Sequence, residues 1–120
     1  MGFTLKVTGP PEIDAAFEDF AGTMIRYGIR EPVDSLFKRG EMQARSEAPV
    51  KTGYLRSSIR SERTAFGARL RAEAPYALYV DKRVPYFSNA VEMIQRELPG
   101  LVQKAIDEQA GRISRKYFGG

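Results

Sequence analysis

The chain has 120 residues and a mass of 13.5 kDa, and it contains no cysteine, histidine or tryptophan. This length predicts a single domain over residues 1–120 with one modest core. Without cysteine there are no disulfides or thiolate metal sites, and without histidine the commonest general base and metal ligand are missing. The composition therefore excludes most enzyme mechanisms.

The net charge of +4 is unevenly distributed. Residues 38–71 carry nine basic and three acidic side chains, whereas residues 1–37 carry three basic and six acidic ones. This basic block predicts a surface that faces phosphate, an acidic protein or solvent alone. No stretch approaches the roughly 20 apolar residues of a membrane-spanning helix, and no secretory signal is visible. We expect a protein that works in soluble form, without a membrane partner.

The N-terminal third predicts one strand followed by two helices. Phe3–Thr8 alternates apolar and polar residues, as a short strand does. From Ile13 to Tyr27 apolar residues recur at helical spacing, and Gly28 is a natural stop. A second helix is expected to begin near Pro32 and to end before Pro49. Its predicted buried face consists of Val33, Leu36, Phe37, Gly40 and Ala44.

The middle third predicts a β-hairpin. Tyr54–Arg63 and Ala68–Ala74 each alternate, and Thr64–Gly67 joins them. In the second run the apolar side chains share one face and the charged side chains share the other, so one face of the hairpin is expected to be polar. Tyr76–Val80 is expected to add a third strand.

The C-terminal third predicts a helix. An apolar stripe recurs from Val91 to Tyr117, and Asn89 with Glu92 resembles a capping box. Pro99-Gly100 predicts a kink or a break, with both pieces covering the same sheet. The expected fold is α+β: a small antiparallel β-sheet with N-terminal helices and a long, Pro-kinked C-terminal helix packed on one face.

Two short matches to serine-hydrolase motifs do not make a catalytic site. Ser35–Lys38 matches S-x-x-K and Lys51–Gly53 matches K-T-G, but the chain is too short for that fold and the S-D-N element is missing. Carboxylate pairs such as Asp107-Glu108 lack metal-ligand spacing, and no glycine-rich phosphate motif occurs. The sequence predicts no enzyme activity, no catalytic residue, no metal and no cofactor.

The stretch Ala48–Ile59 reads A-P-V-K-T-G-Y-L-R-S-S-I. It resembles the A-P-x-x-T-G-x-L-x-x-S-I pattern of a small tail-component family of tailed double-stranded DNA phages, the gene-product-ten-like family of head–tail joining, neck and tail-completion proteins. Ala74–Asp81 is similar to that family's A-x-Y-A-x-x-V-E stretch, and Pro85–Ala90 to its P-F-x-x-P-A stretch. The three stretches follow the family's order, and the likeness covers most of the chain.

The sequence departs from the family pattern at three places. The loop after the second stretch is short, Lys82–Val84, where the family has a longer loop rich in glycine and threonine. Asp81 stands where glutamate is usual, and Asn89 where proline is usual. The short loop leaves open whether any partner contact of the longer loop is kept.

The resemblance implies a structural virion protein, assembled in the host cytoplasm, that forms a homo-oligomeric ring in the phage neck or head–tail connector around the DNA channel. A neck, tail-terminator or minor tail role fits it equally. The implied partners are further copies of the chain, a portal-side head-completion or adaptor protein, and tail-terminator or tail-tube proteins. Most motif residues are expected to pack, and Thr52-Gly53 to form a turn with positive φ. The motif positions are Pro49, Thr52, Gly53, Leu55, Ile59, Tyr76, Ala77, Pro85 and Phe87.

The arginines of the basic block supply a candidate functional surface. They are Arg56, Arg60, Arg63, Arg69 and Arg71. In a ring they would offer sequence-independent positive charge to double-stranded DNA, or they would meet an acidic surface on the neighbouring subunit. The alternative function is a small basic nucleic-acid-binding module, although no aromatic RNA-binding signature or helix-turn-helix is present.

Overall fold

A four-stranded antiparallel sheet lies at the centre of the computed structural model, which describes residues 3–8, 13–19, 28–51, 53–64 and 67–118. Strand β1 is Phe3–Thr8, β2 is Ile13–Asp19, β3 is Ile59–Thr64 and β4 is Gly67–Ala72. The spatial order is β1-β2-β4-β3, and each neighbouring pair is antiparallel. Strands β1 and β3 are therefore the two edges.

Four helices complete the described part of the chain. Helix α1 is Arg30–Glu47, α2 is the single turn Tyr54–Ser57, α3 is Ala77–Arg83 and α4 is Tyr86–Phe118. Helix α1 packs against α4 and against strands β3 and β4. The 33 residues of α4 span about 50 Å, close to the 60 Å longest extent of the molecule. The α+β class predicted from the sequence is confirmed.

The core lies where α1 meets one face of the sheet and the first half of α4. Phe17 of β2 and Phe37 of α1 have ring centroids 6.3 Å apart, with the rings tilted. The predicted buried face of α1 is confirmed, and so is the predicted apolar face of β4. The β4 residues on that face are Ala68, Leu70 and Ala72, and Ala74 follows them into the core.

The helix predicted from Ile13 to Tyr27 is wrong over its first half, because Ile13–Asp19 forms strand β2. Phe17 pairs with Leu5 on one side and with Ala68 on the other. The apolar residues of this segment alternate as well as they follow helical spacing, and pairing on both sides buries Ala15 and Phe17 completely. Residues 20–27 of the predicted helix lie outside the described residues.

The predicted third strand over Tyr76–Val80 is also wrong, because this segment belongs to helix α3. Ala77 is fully buried whereas Tyr76 and Tyr79 are exposed, which is a helical and not an alternating pattern. The β3–β4 hairpin is confirmed, but its first strand begins later than predicted. Gly53 has a φ of 78° and turns the chain into α2, so β3 starts only at Ile59.

Helix α4 runs without a break through Pro99. Because proline has no N–H, Pro99 removes one hydrogen bond from the helix. Pro99 is exposed, so it does not interrupt the buried stripe, which consists of Val91, Ile94, Leu98 and Val102. The structure describes only the helical backbone at Ile113 and Tyr117, so the predicted continuation of the stripe to their side chains is not tested. The predicted capping box is wrong, because α4 begins at Tyr86 and the Asn89 Nδ2 donates to Glu47 Oε1 at 2.8 Å.

A buried carboxylate joins α1 to the edge strand β3. Glu41 is 5% exposed, and its Oε1 accepts a hydrogen bond from the Ser61 backbone N–H at 2.7 Å. Its Oε2 lies 2.8 Å from Lys38 Nζ, and Arg45 donates to the Ile59 carbonyl at 2.7 Å. Burial by itself raises the pKa of Glu41, but hydrogen bonds from Lys38 and Ser61 and the charge of Arg45 lower this pKa overall. Side chains of α1 thus bind edge-strand backbone groups that another strand would otherwise reach.

Substitution of Gly40 tests the close approach of α1 and α4. A Cβ at this position would lie 2.7 Å from Ile94 Cδ1 and 3.3 Å from Ile94 Cγ1. We expect Gly40→Val to lower the free energy of unfolding by about 1–3 kcal/mol through overpacking. Combined with Ile94→Ala, it should cost less than the sum of the two single variants in urea denaturation. Additive losses would contradict the close approach.

The Glu41 site predicts a pH-dependent stability. Because the pKa of Glu41 is lowered from its ordinary 4.5, its ionised form stabilises the fold above that pH, and this contribution is lost as the pH falls through the folded-state pKa. We expect Glu41→Gln to cost about 1–3 kcal/mol at pH 7 and to approach wild-type stability in acid. Urea denaturation across pH measures this difference. The exposed Glu92→Gln is the control, and a pH-independent loss in Glu41→Gln would contradict the prediction.

Candidate functional site

The residues predicted as functional occupy two separate surfaces. Three of the five candidate arginines project from the sheet face that α1 does not cover. Several motif residues instead line a groove between the α1–α2 connection and α3. The two surfaces have different chemistry, so they are described in turn.

The sheet face carries a ladder of alternating charge. Glu62 accepts a hydrogen bond from Arg69 Nε at 2.7 Å and lies 3.3 Å from an Arg71 guanidinium nitrogen. Glu73 lies 3.6 Å from Arg71 and 3.8 Å from Arg60. Arg60 and Arg71 are directly opposite in the β3–β4 register, and Glu73 offsets the repulsion between them. Among the side chains that the structure describes, the ladder therefore holds three arginines and two glutamates.

The other two candidate arginines have structural contacts. Arg63 donates to Asp34 of α1 at 2.8 Å. Arg56 donates to the Ala48 carbonyl at 3.3 Å, just beyond the end of α1, and its Nε is buried without a hydrogen-bond partner among the described residues. The structure therefore brings together Arg60, Arg69 and Arg71 but not Arg56 and Arg63.

In the fold, arginines of the basic block pair with acidic residues from other parts of the chain. Asp34 and Glu73 lie outside residues 38–71 in the sequence but pair with arginines of the block in the fold. The guanidinium groups of Arg69 and Arg71 lower the pKa of Glu62 below its ordinary value, so the carboxylate stays charged at neutral pH. The sheet face is therefore of mixed sign, not a continuous positive surface.

The groove is an apolar cleft of about 420 Å³, within the size range of ligand-binding clefts. Leu55 of α2 and Val80 of α3 lie along it, and Tyr76 and Val84 flank α3 at either end. Basic side chains, Lys51 and Arg83, complete the lining together with Pro49 and Gly53. The groove thus combines an apolar interior with a basic rim.

Exposed aromatic residues lie on helices α2 and α3, which contribute to the groove, and beside them. The Tyr54 and Tyr76 rings contact each other with centroids 6.2 Å apart, and their residues are 53% and 40% exposed. Tyr79 is 61% exposed, and Lys82 Nζ lies 5.7 Å from its ring centroid. Val50 and Val84 are also exposed. Large apolar side chains gathered at a surface are typical of a site that binds another molecule.

The motif residues divide between packing and the groove. Leu55, Ile59, Ala77 and Phe87 are buried, as expected for packing residues. Gly53 has the positive φ predicted for its turn, whereas Thr52 lies outside the described residues. The exposed motif residues are Pro49, Tyr76 and Pro85.

Sequence reasoning missed the half of the groove that α3 provides. The sequence predicts a strand and a short loop here, and this pattern does not indicate that Val80, Arg83 and Val84 line a binding groove. Tyr76 and Tyr79 are three residues apart, which is the spacing of one helical face, and this was the available signal. Lys51 and Tyr54 lie within the first motif but at positions where the pattern leaves the residue free.

Asp81 holds the far wall of the groove to helix α4. Its Oδ1 accepts hydrogen bonds from the Phe87 and Ser88 backbone N–H groups, each at 2.9 Å, and its Oδ2 accepts one from the Ser88 hydroxyl. The buried Tyr86 hydroxyl donates to the Ala77 carbonyl at 2.9 Å, and burial raises the pKa of this phenol. Helix α3 is thereby fastened to the start of α4 at both of its ends.

The described residues offer little reactive chemistry. Lys38 of the S-x-x-K match forms an ion pair with Glu41 at 2.8 Å. Among these residues no three carboxylates lie close enough to hold a metal ion. None of the described helices is long and apolar enough to cross a lipid bilayer.

Comparison with models of known protein families, with curated proteins and with solved structures finds no match to this chain.

Substitution of Asp81 tests the cap at the start of α4. We expect Asp81→Ala to lower the free energy of unfolding by about 1–2 kcal/mol, because two backbone N–H groups lose their acceptor. Asp81→Asn keeps an acceptor oxygen and should lose less than half as much in urea denaturation. Equal losses in both variants would mean that the cap is not the source of the stabilisation.

Proposed function

We propose that this protein is a non-enzymatic structural component of a phage neck or head–tail connector, where copies of the chain form a ring around the DNA channel. In this proposal it belongs to the virion and is assembled in the host cytoplasm. Its neighbours in the particle are further copies of itself, a portal-side head-completion or adaptor protein, and tail-terminator or tail-tube proteins.

The apolar groove is the observation that carries the proposal. Most of its described lining residues, among them Pro49, Leu55 and Tyr76, lie in the stretches that resemble the phage family. Arg83 and Val84 belong to the short loop at which the sequence departs from the family pattern. Its described lining residues have aromatic, aliphatic and basic side chains, and among them no nucleophile is paired with a base. Aromatic residues on an apolar surface support binding to another protein, where they supply most of the contact energy.

The charge ladder bears on the alternative, a nucleic-acid-binding module. A phosphate backbone approaching Arg60, Arg69 and Arg71 would also meet the carboxylates of Glu62 and Glu73. Repulsion by these carboxylates offsets part of the attraction to phosphate. The mixed face therefore supports weak, sequence-independent proximity to DNA, or pairing with a neighbouring subunit, over tight DNA binding.

Electron microscopy of phage particles, with an antibody against the chain, tests the proposed location. We expect label at the junction of head and tail and a ring of density that accommodates the fold described above. Particles that lack the protein after purification would contradict the proposal.

Filter binding with double-stranded DNA discriminates the alternative. We expect weak retention at low salt that disappears at physiological ionic strength, because few phosphates are neutralised. The double variant Glu62→Gln with Glu73→Gln should increase retention, since it removes both carboxylates of the ladder. Tight binding by the wild-type chain at physiological salt would favour the nucleic-acid-binding module.

A further inference from the structure

We infer that the groove receives an acidic segment of a partner protein, which inserts one large apolar side chain between Leu55, Tyr76 and Val84 and places carboxylates near Lys51 and Arg83. The inference rests on the proposed assembly function, and it names the binding surface and the chemistry of its partner.

The shape of the groove sets the size of the inserted group. A cleft of about 420 Å³ accommodates an aromatic or long aliphatic side chain together with the backbone on either side of it. Leu55 forms part of the floor and is 4% exposed, so the floor belongs to the core and is already fixed in place. Tyr76 and Val84 are each 40% exposed, so a bound side chain would remove apolar surface from water.

The charge of the rim selects the flanking residues of the partner. Lys51 and Arg83 are both exposed, and neither belongs to an ion pair within the part of the chain that the structure describes. The acidic residue nearest in sequence to Arg83 is Asp81, which is occupied by the N–H groups at the start of α4. This contrasts with the sheet face, where every arginine of the ladder has a carboxylate beside it. The rim cations therefore complement carboxylates from outside the chain.

The apolar interior favours a protein segment over nucleic acid. A phosphate backbone would satisfy Lys51 and Arg83 but would leave the aliphatic floor of Leu55 and Val80 without a contact. An acidic segment with an aromatic or aliphatic anchor satisfies both parts of the groove at once. The contact combines apolar burial with charge pairing at the rim, where mutation changes binding without disturbing the core.

Fluorescence anisotropy with labelled peptides and the full-length chain tests this inference. The probe is the acidic peptide GSEDFLEEGS. One control, GSQNFLQQGS, removes its charge, and a second, GSEDSSEEGS, removes its apolar anchor. We expect the probe to bind at low salt and both controls to bind at least about tenfold more weakly, because each lacks one of the two complementary features.

Variants of the chain locate the binding site. Lys51→Glu and Arg83→Glu should each weaken binding of the probe about tenfold, and Tyr76→Ser should weaken it by a similar factor. The matched control is Lys104→Glu, an exposed charge reversal on α4 that does not line the groove. These positions are exposed, so circular dichroism should show an unchanged fold in each variant.

Three results would overturn the inference: no binding of the probe, equal binding of all three peptides, or equal effects of the groove and control variants. Self-association abolished by Lys51→Glu, without peptide binding, would assign the groove to a second copy of the chain and also overturn it. The proposed function fails separately. Binding as expected, with the protein missing from phage particles, would leave the docking site intact and remove the neck assignment.

Discussion

Two adjacent residues of α1 set the geometry on which the rest of the fold depends. Gly40 leaves the space that Ile94 of α4 fills, and Glu41 binds the backbone of edge strand β3. Helix α1 thus joins α4 to the sheet. Its backbone approaches α4 closely at Gly40, and the buried carboxylate of Glu41 binds β3. The end of α1 then leads into the connection from Ala48 to Gly53, which forms one wall of the groove.

The sequence predicted those elements whose residues fit only one periodicity. The buried face of α1 and the two faces of β4 follow from local spacing alone. The residues of Ile13–Asp19 fit both a helix and a strand. This segment forms a strand because β1 and β4 pair with it on either side. Glu41 was missed because its partner, the Ser61 N–H, lies 20 residues away along the chain. The side of the groove that α3 provides was also missed, because the sequence predicts a strand in this segment.

The two surfaces of the molecule differ in how their charges are satisfied. On the sheet face Arg60, Arg69 and Arg71 lie beside glutamates, so the positive block seen in the sequence is largely balanced within the fold. At the groove the basic side chains flank exposed tyrosines and an apolar floor. An unbalanced charge next to an exposed apolar surface is the combination that a protein partner satisfies best. We therefore propose that a partner protein binds the chain at the groove.

Hydroxyl-radical footprinting of the free chain and of intact phage particles shows whether the groove is covered in the assembled particle. The method reports the solvent exposure of tyrosine side chains, and Tyr54, Tyr76 and Tyr79 are all exposed in the isolated chain. Met42, which is 63% exposed on α1 and does not line the groove, serves as an internal reference. We expect the three tyrosines to become protected in the particle relative to Met42. Unchanged reactivity of all three tyrosines in particles that contain the protein would contradict it.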